Sequence, residues 1–469
     1  MRKARSLRLP MTATALVGAA ILAPTLAFAQ TVPDVPPLLE ALTTARNPTG
    51  AANSLQTNGA TVTANDAFFQ SLGTNGRSCV TCHDPQAGWS VTPRGVNARF
   101  QATQGADPLF RLIDGATCST ASVATATNQL RAYSLLLGKG LFRIALPVPA
   151  NAQFTISVTS DPYDCNTNAS TGLTSPTSGT LSVYRRPLPS TNQRFQTNVM
   201  WDGREASLTT QAINATLGHA QAIAAPTLTQ QAQMVAFESG LYTAQATDNR
   251  AGALDALGAT GGAAALAQQP FTVGVNDSAN PSGFDRVVFK LYTAWQSLTG
   301  ADAATQARQS IARGEQIFNT RAFTINNVPG LTTAANTSVR GSCSTCHNTP
   351  NVGNHSVNSL MNIGVSRANP PAALDVAALP VFTLTCMAGP LEGRTFTVTD
   401  PGQAMVTGRC SDIGRMKVPV LRGLAARAPY FHNGSAATLG NVVGFYNGRF
   451  NLGLSAQERA DLVNFLEAL

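Results

Sequence analysis

Two five-residue frames constrain this chain more than its length or composition does. Cys79-Val80-Thr81-Cys82-His83 and Cys343-Ser344-Thr345-Cys346-His347 both read Cys-x-x-Cys-His. At that spacing one turn of helix presents two thiols to the vinyl groups of a haem, and the adjacent imidazole reaches the iron. A redox dithiol is the competing reading of each pair, but it leaves the histidine that follows both pairs unexplained. The frames therefore predict two covalently bound c-type haems, one on Cys79 and Cys82 with His83 as metal ligand, the other on Cys343 and Cys346 with His347.

The first residues indicate where such a protein matures. Arg2, Lys3, Arg5 and Arg8 precede an apolar run from Met11 to Leu26 and a small-x-small site, Ala27-Phe28-Ala29. Residues 1–29 thus read as a signal peptide, and a periplasmic location is expected. An uncleaved anchor is the alternative, for which the apolar run is short against the ~20 residues of a bilayer span. No later stretch suits a span, so membrane integration is not expected. Of 32 Lys and Arg against 24 Asp and Glu, four basic residues fall in the leader. The remaining excess is small and scattered, which argues against a nucleic-acid partner. In an oxidising compartment the other four cysteines pair most economically as Cys118 with Cys165 and Cys386 with Cys410. Buried free thiols are the alternative.

Apolar residues at helical spacing precede both frames, over 65–72 and 304–318, as if one plan occurred twice. Three β-branched runs, 141–147, 153–159 and 179–184, are flanked by Pro, Asn and Gly and predict short strands in an insertion at about 118–184. Helical patterns return at 208–223, 228–237, 284–298, 438–446 and 455–469, while 251–267 shows no preference. The expected fold is mainly α: two cytochrome c-like helical haem lobes, 30–300 and 301–469, with a small β-containing insertion in the first.

What closes the far side of each iron decides the chemistry. After His83 there is no Met before Met200 and no His before His219. The first haem is therefore expected to be open, unless a distant segment returns to cap it. The second has His355, Met361, Met387, Met405, Met416 and Tyr446 downstream.

Two further blocks resemble a known family. They are Asn198-Val199-Met200-Trp201-Asp202-Gly203-Arg204-Glu205 with Leu208 and Gln211, and Gly414-Arg415-Met416-Lys417-Val418-Pro419-Val420-Leu421-Arg422 followed by Ala428-Pro429-Tyr430-Phe431-His432-Asn433-Gly434 and Tyr446. Both are similar to segments of the bacterial dihaem cytochrome c peroxidases and MauG. The resemblance implies that His83 serves a peroxidatic haem and His347 an electron-transfer haem. It implies Trp201 as relay between them, against the commoner fate of a core aromatic. It further implies Gln211 in the distal pocket, Arg204 in an ion pair and His432 as a pocket hydrogen bonder.

Two departures bear on mechanism. The family's distal glutamate is missing from Gly218-His219-Ala220-Gln221, so His219 is the candidate acid/base; a structural histidine and a sixth ligand are the alternatives. Where the family's peroxidases have an axial methionine and MauG a tyrosine, this chain has Tyr446, with Met416 or Met405 as alternatives. The family's bridging calcium is left open, because Arg186 and Arg427 lie near the matching ligand positions. The implied activity is reduction of hydrogen peroxide at the first haem, with the second holding an oxidising equivalent and electrons coming from a small redox protein. A dihaem electron carrier without catalysis, or an oxidase or oxygenase of a protein or organic substrate, are the competing readings.

Overall fold

A computed structural model describes residues 35–280 and 282–469 of the chain. The expected leader lies outside the described residues. Among those residues no helix is long and apolar enough to cross a membrane.

The best-defined helical unit surrounds the second frame. Asp302 caps helix Ala303–Thr320 by accepting from the Thr305 N–H, and Ser455 caps Ala456–Glu467 by accepting from Glu458. Ile311, Ala312 and Phe318 of the first helix share one core with Leu462, Phe465 and Leu466 of the second and with Val443 of Leu439–Phe450. The two long helices approach so closely at Gly314 that an added Cβ would lie 2.0 Å from the Asp461 carbonyl oxygen. This crossing brings Phe318 to 6.2 Å from the His347 ring. Around the first frame, helices Leu208–Gly218 and Leu228–Gly240 are capped by Ser207 and Thr227. Phe237 of the second packs on Phe68 and Trp89 beside His83.

The mainly α expectation is not met. The described chain is 29% helix and 19% strand, a mixed architecture with several separate antiparallel sheets. One sheet carries strands Leu42–Asn47, Gly50–Gln56, Leu241–Asp248 and Gly252–Ala253 side by side. Its inward face is polar, which conceals the alternation by which strands are recognised. Ser54 Oγ lies 2.8 Å from Thr243 Oγ1 and accepts from Trp89 Nε1, and Gln56 donates to the Phe237 carbonyl.

The insertion is not a small sheet confined to the first lobe. Phe142–Pro147 and Ser178–Arg185 pair with each other, but Phe154–Ser160 pairs with Val381–Cys386, which continues to Thr395–Val398. One core joins Phe154, Ile156, Leu181 and Val183 to Phe382, Leu384, Val398 and Met405. Two segments more than two hundred positions apart thus make one β module, with disulfides Cys118–Cys165 and Cys386–Cys410.

Two expected helices are absent for an identifiable reason. In 65–72, Asp66 Oδ1 accepts from the Phe68 N–H, and the Phe68 carbonyl takes the Cys79 N–H. In 284–298 only the turn Thr293–Ser297 is helical. There Glu315 accepts from the Tyr292 N–H and the Thr293 hydroxyl, and Asn319 bonds both the N–H and the carbonyl of Phe289. Side chains of helix Ala303–Thr320 satisfy the backbone that a local helix would otherwise pair with itself. The Gly314 crossing gives a direct check. Gly314→Ala should lower unfolding stability by about 1–3 kcal/mol despite its better helix propensity, as forced overpacking does. Denaturant melts of both proteins measure this, and a variant as stable as the parent contradicts the close crossing.

Candidate functional site: two cavities sharing a wall

Each Cys-x-x-Cys-His frame opens on its own cavity. Cys79–Thr81 and Cys343–Thr345 are single tight turns, each closed by a reciprocal Ser and Thr cap, Ser78 with Thr81 and Ser342 with Thr345. The His83 Nδ1–H donates to the Trp89 carbonyl at 3.1 Å and the His347 Nδ1–H to the Gly353 carbonyl at 2.7 Å. Each ring is thereby fixed in the tautomer whose Nε2 lone pair is free for a metal. Burial holds both imidazoles down to about 4, so they are neutral near pH 7. The spaces in front of them measure about 1490 Å³ and 1640 Å³ out to their solvent mouths, and their linings are largely apolar.

These residues fit a covalently held haem. Cys79, Cys82, Cys343 and Cys346 are unpaired, while the other four cysteines form disulfides. Burial pushes the Cys82 thiol up to about 11 and those of Cys343 and Cys346 to about 12. A redox dithiol needs the opposite, a depressed thiol.

Arg186, Pro187, Leu188, Pro189, Trp201, Lys417 and Val420 line both cavities and form the wall between them. The Trp201 indole N–H donates to the Arg186 carbonyl at 2.8 Å, and its ring lies 6.0 Å from that of His432. The turn that presents Trp201 closes through Gly203 at φ +69°. Asp202 is tied to Arg185 at 2.5 Å and to Arg204 at 3.0 Å, and Arg185 continues to Asp400 at 2.7 Å. Arg186 has no carboxylate. Its guanidinium donates to the carbonyls of Val91, Lys139 and Arg427 at 2.6–3.0 Å, and its backbone N–H donates to His432. Burial lowers it to about 9, which leaves it charged at neutral pH. Among the described residues no cluster of three or more His, Cys, Asp or Glu could hold a metal ion.

The cavities differ in what faces their frames. Gln211 and His219, in the first turn and at the C-terminal cap of helix Leu208–Gly218, line the first. His219 Nδ1 meets Asp114 Oδ2 at 2.5 Å, and Asp114 Oδ1 meets Arg77 at 2.5 Å. Glu238 also lines this cavity, and burial pushes its carboxyl up to about 8. The second cavity receives Tyr446, Met361 and Met416, the two methionines exchanging backbone hydrogen bonds. Burial raises the Tyr446 phenol well above its ordinary value. Of the other sequence candidates, Met405 is in the β-module core and Met387 is exposed. His355 donates to the Cys346 carbonyl outside the cavity lining.

Several residues here were not anticipated: Asp114, Arg77, Arg185, Asp400 and Glu238. Asp114 lies 105 positions from His219 in an ordinary loop, and Asp400 lies 215 from Arg185, so no local pattern announces either. Lys417 belongs to a quoted block, but its burial without a carboxylate, donating to Gln196 and the Asn198 carbonyl, emerges only from the fold.

No protein-family model matches the chain. The curated protein named cytochrome-c peroxidase IdrP1 of Denitromonas iodatirespirans is 34% identical over 147 residues, covering 28% of this chain and 37% of that protein. Cytochrome-c peroxidase IdrP2 of the same organism is 36% identical over 141 residues, covering 28% and 36%. A solved structure described as a MauG-like protein associated with microbial copper homeostasis aligns with a TM-score of 0.32 at 16% identity, over 62% of this chain and 74% of that one. The chain spans about a third of the length of the curated relatives it matches. Over that matched portion the chain is similar to proteins named cytochrome-c peroxidase.

Proposed function

We propose that this protein is a periplasmic dihaem c-type peroxidase of the MauG-like branch, reducing hydrogen peroxide in the first cavity, with lobes that divide near residue 300. The observation that carries the reading is the asymmetry of two cavities with one wall. Both have a Cys-x-x-Cys-His frame and one further imidazole, but His219 of the first is half exposed and held by the Asp114 carboxylate, whereas His432 of the second is buried against Trp201 and held down to about 4, in a lining that also carries Tyr446, Met361 and Met416. Bound haem would supply a redox-active iron in each cavity, the first admitting peroxide and the second holding an oxidising equivalent.

The remaining work falls to the chain. His219 Nε2 takes a proton from the peroxide oxygen nearer the frame and returns it to the departing oxygen, which leaves as water. The Gln211 amide donates to the peroxide and holds it in the cavity but moves no proton. Trp201 offers an aromatic path through the shared wall. Its N–H is bonded to a carbonyl, which takes no proton, so an electron crosses the ring without loss of that hydrogen. Tyr446 is the residue that would offer an oxygen to the iron of a haem held by His347, and such an oxygen, once its proton is displaced, would favour the oxidised state. A small redox protein supplies the two electrons, and two protons complete the conversion of each peroxide to two waters.

His219→Ala and His219→Gln should each slow peroxide cleavage by ~10²–10⁴-fold in rapid mixing while both haems stay attached. A rate that increases, together with a low-spin to high-spin change, would instead make His219 a capping ligand. An unchanged rate would make His219 a structural histidine.

At the second site, Tyr446→Phe should change the low-spin spectrum and raise that site's reduction potential. An unaltered spectrum would transfer the ligand role to Met416.

A further inference from the structure

Asp114 sits in the loop between helix Pro93–Thr103 and helix Ala126–Ala132 and is 3% exposed. Its two oxygens have different partners. Oδ1 accepts from Arg77 Nη1 at 2.5 Å and Oδ2 faces His219 Nδ1 at 2.5 Å. The Arg77 guanidinium is fixed in turn by the carbonyls of Pro108 and Leu109, at 2.8 Å each, and reaches the His219 carbonyl at 3.3 Å. Burial pushes the Asp114 carboxyl up, but Arg77 and His219 together outweigh it and hold the group below the usual carboxylate range.

An ionised carboxylate has no proton to give, so the imidazole is the donor in this pair. Its neutral form then carries hydrogen on Nδ1 and the lone pair on Nε2. We propose that Asp114 is a positioning residue for His219, fixing the ring and its tautomer so that Nε2 is the nitrogen presented to the first cavity. The inference rests on the reading of His219 as the group that moves the peroxide's proton.

Two further observations support it. The His219 side chain is 43% exposed, so the protein surface alone does not hold the ring. Its backbone, by contrast, is anchored, because Asn75 Nδ2 and Arg77 both donate to the His219 carbonyl. With the backbone fixed and Nδ1 bonded, one ring orientation remains. The other charged or titratable groups near the pair are Arg77, Arg143, whose backbone N–H donates to the Asp114 carbonyl, Cys82, and the His83 ring across the cavity, with Arg111 beyond Arg77 and bonded to the Asn75 carbonyl. Arg77 balances the carboxylate, which keeps Asp114 an acceptor.

The test is a double-mutant cycle on the haem-loaded protein with Asp114→Asn, His219→Gln and both together. Two rates are read: the first peroxide step, and the binding of hydrogen cyanide to the ferric protein. The second is not turnover, yet it also needs a base to take a proton. Asp114→Asn should slow both by about 10–100-fold, as loss of a carboxylate that orients an imidazole does, with haem content unchanged. The double variant should be no slower than His219→Gln alone, because both changes remove one function. Losses that multiply, or an Asp114→Asn protein as fast as the parent while His219→Gln is slow, would overturn the positioning role and leave the acid/base reading standing. A fast His219→Gln protein would overturn the acid/base reading itself. Should Asp114→Asn fail to mature, Asp114→Glu against Asp114→Gln makes the same comparison, since those side chains match in length and differ in charge.

Discussion

A buried guanidinium without a carboxylate is unfavourable unless nearly all of its N–H groups find acceptors, and Arg186 is such a group in the wall between the two cavities. Carbonyls of Val91 and Lys139 approach it from the first part of the chain and that of Arg427 from the last. Its own carbonyl takes the Trp201 N–H and its own N–H goes to His432. One residue thus ties the indole and His432 to segments from both halves of the chain. A fixed cation already surrounded by carbonyl oxygens also occupies the kind of position a hard metal ion would take. In the proposed function this wall is the route for charge between the sites, and its rigidity follows from the number of bonds that would break together if Arg186 moved.

The charged cluster beside it extends the same logic into the β module. Asp202, from the turn that carries Trp201, and Asp400, from the strand-bearing loop near the carboxy terminus, share Arg185 at the end of strand Ser178–Arg185. Asp400 also lies 3.7 Å from His432, whose ring faces Trp201. Arg185, Asp202 and Asp400 are nearly inaccessible to water, so removing Arg185 would leave Asp400 charged with no guanidinium beside it, a change that costs about 3–5 kcal/mol. The β module is therefore joined to the wall by charge as well as by its own core.

The frames, the two disulfide pairings, the long helices near the carboxy terminus and the strands at 142–185 could be read from local spacing, because each is a pattern within a few tens of residues. The sheet containing Gly50–Gln56 could not. Its buried positions are Ala52, Ser54 and Gln56, and their hydrogen-bond partners lie far along the chain, so the polarity that signals exposure here marks an interior face. The same holds for 284–298, where Glu315 and Asn319 replace local helical bonds. At the site, residues in motifs were legible and their supports were not. His219 stood out because it occurs near the position of an expected carboxylate; Asp114 became visible only when the fold brought its loop against the helix end.

The account depends on two haem sites of unlike character facing one wall, the first open and the second closed. Electron paramagnetic resonance of the fully ferric protein, with haem content measured on the same sample, tests this most directly. Two thioether-linked haems per chain, with high-spin and low-spin signals in equal amounts, are predicted. One haem per chain, or two low-spin signals with no high-spin iron, would contradict it.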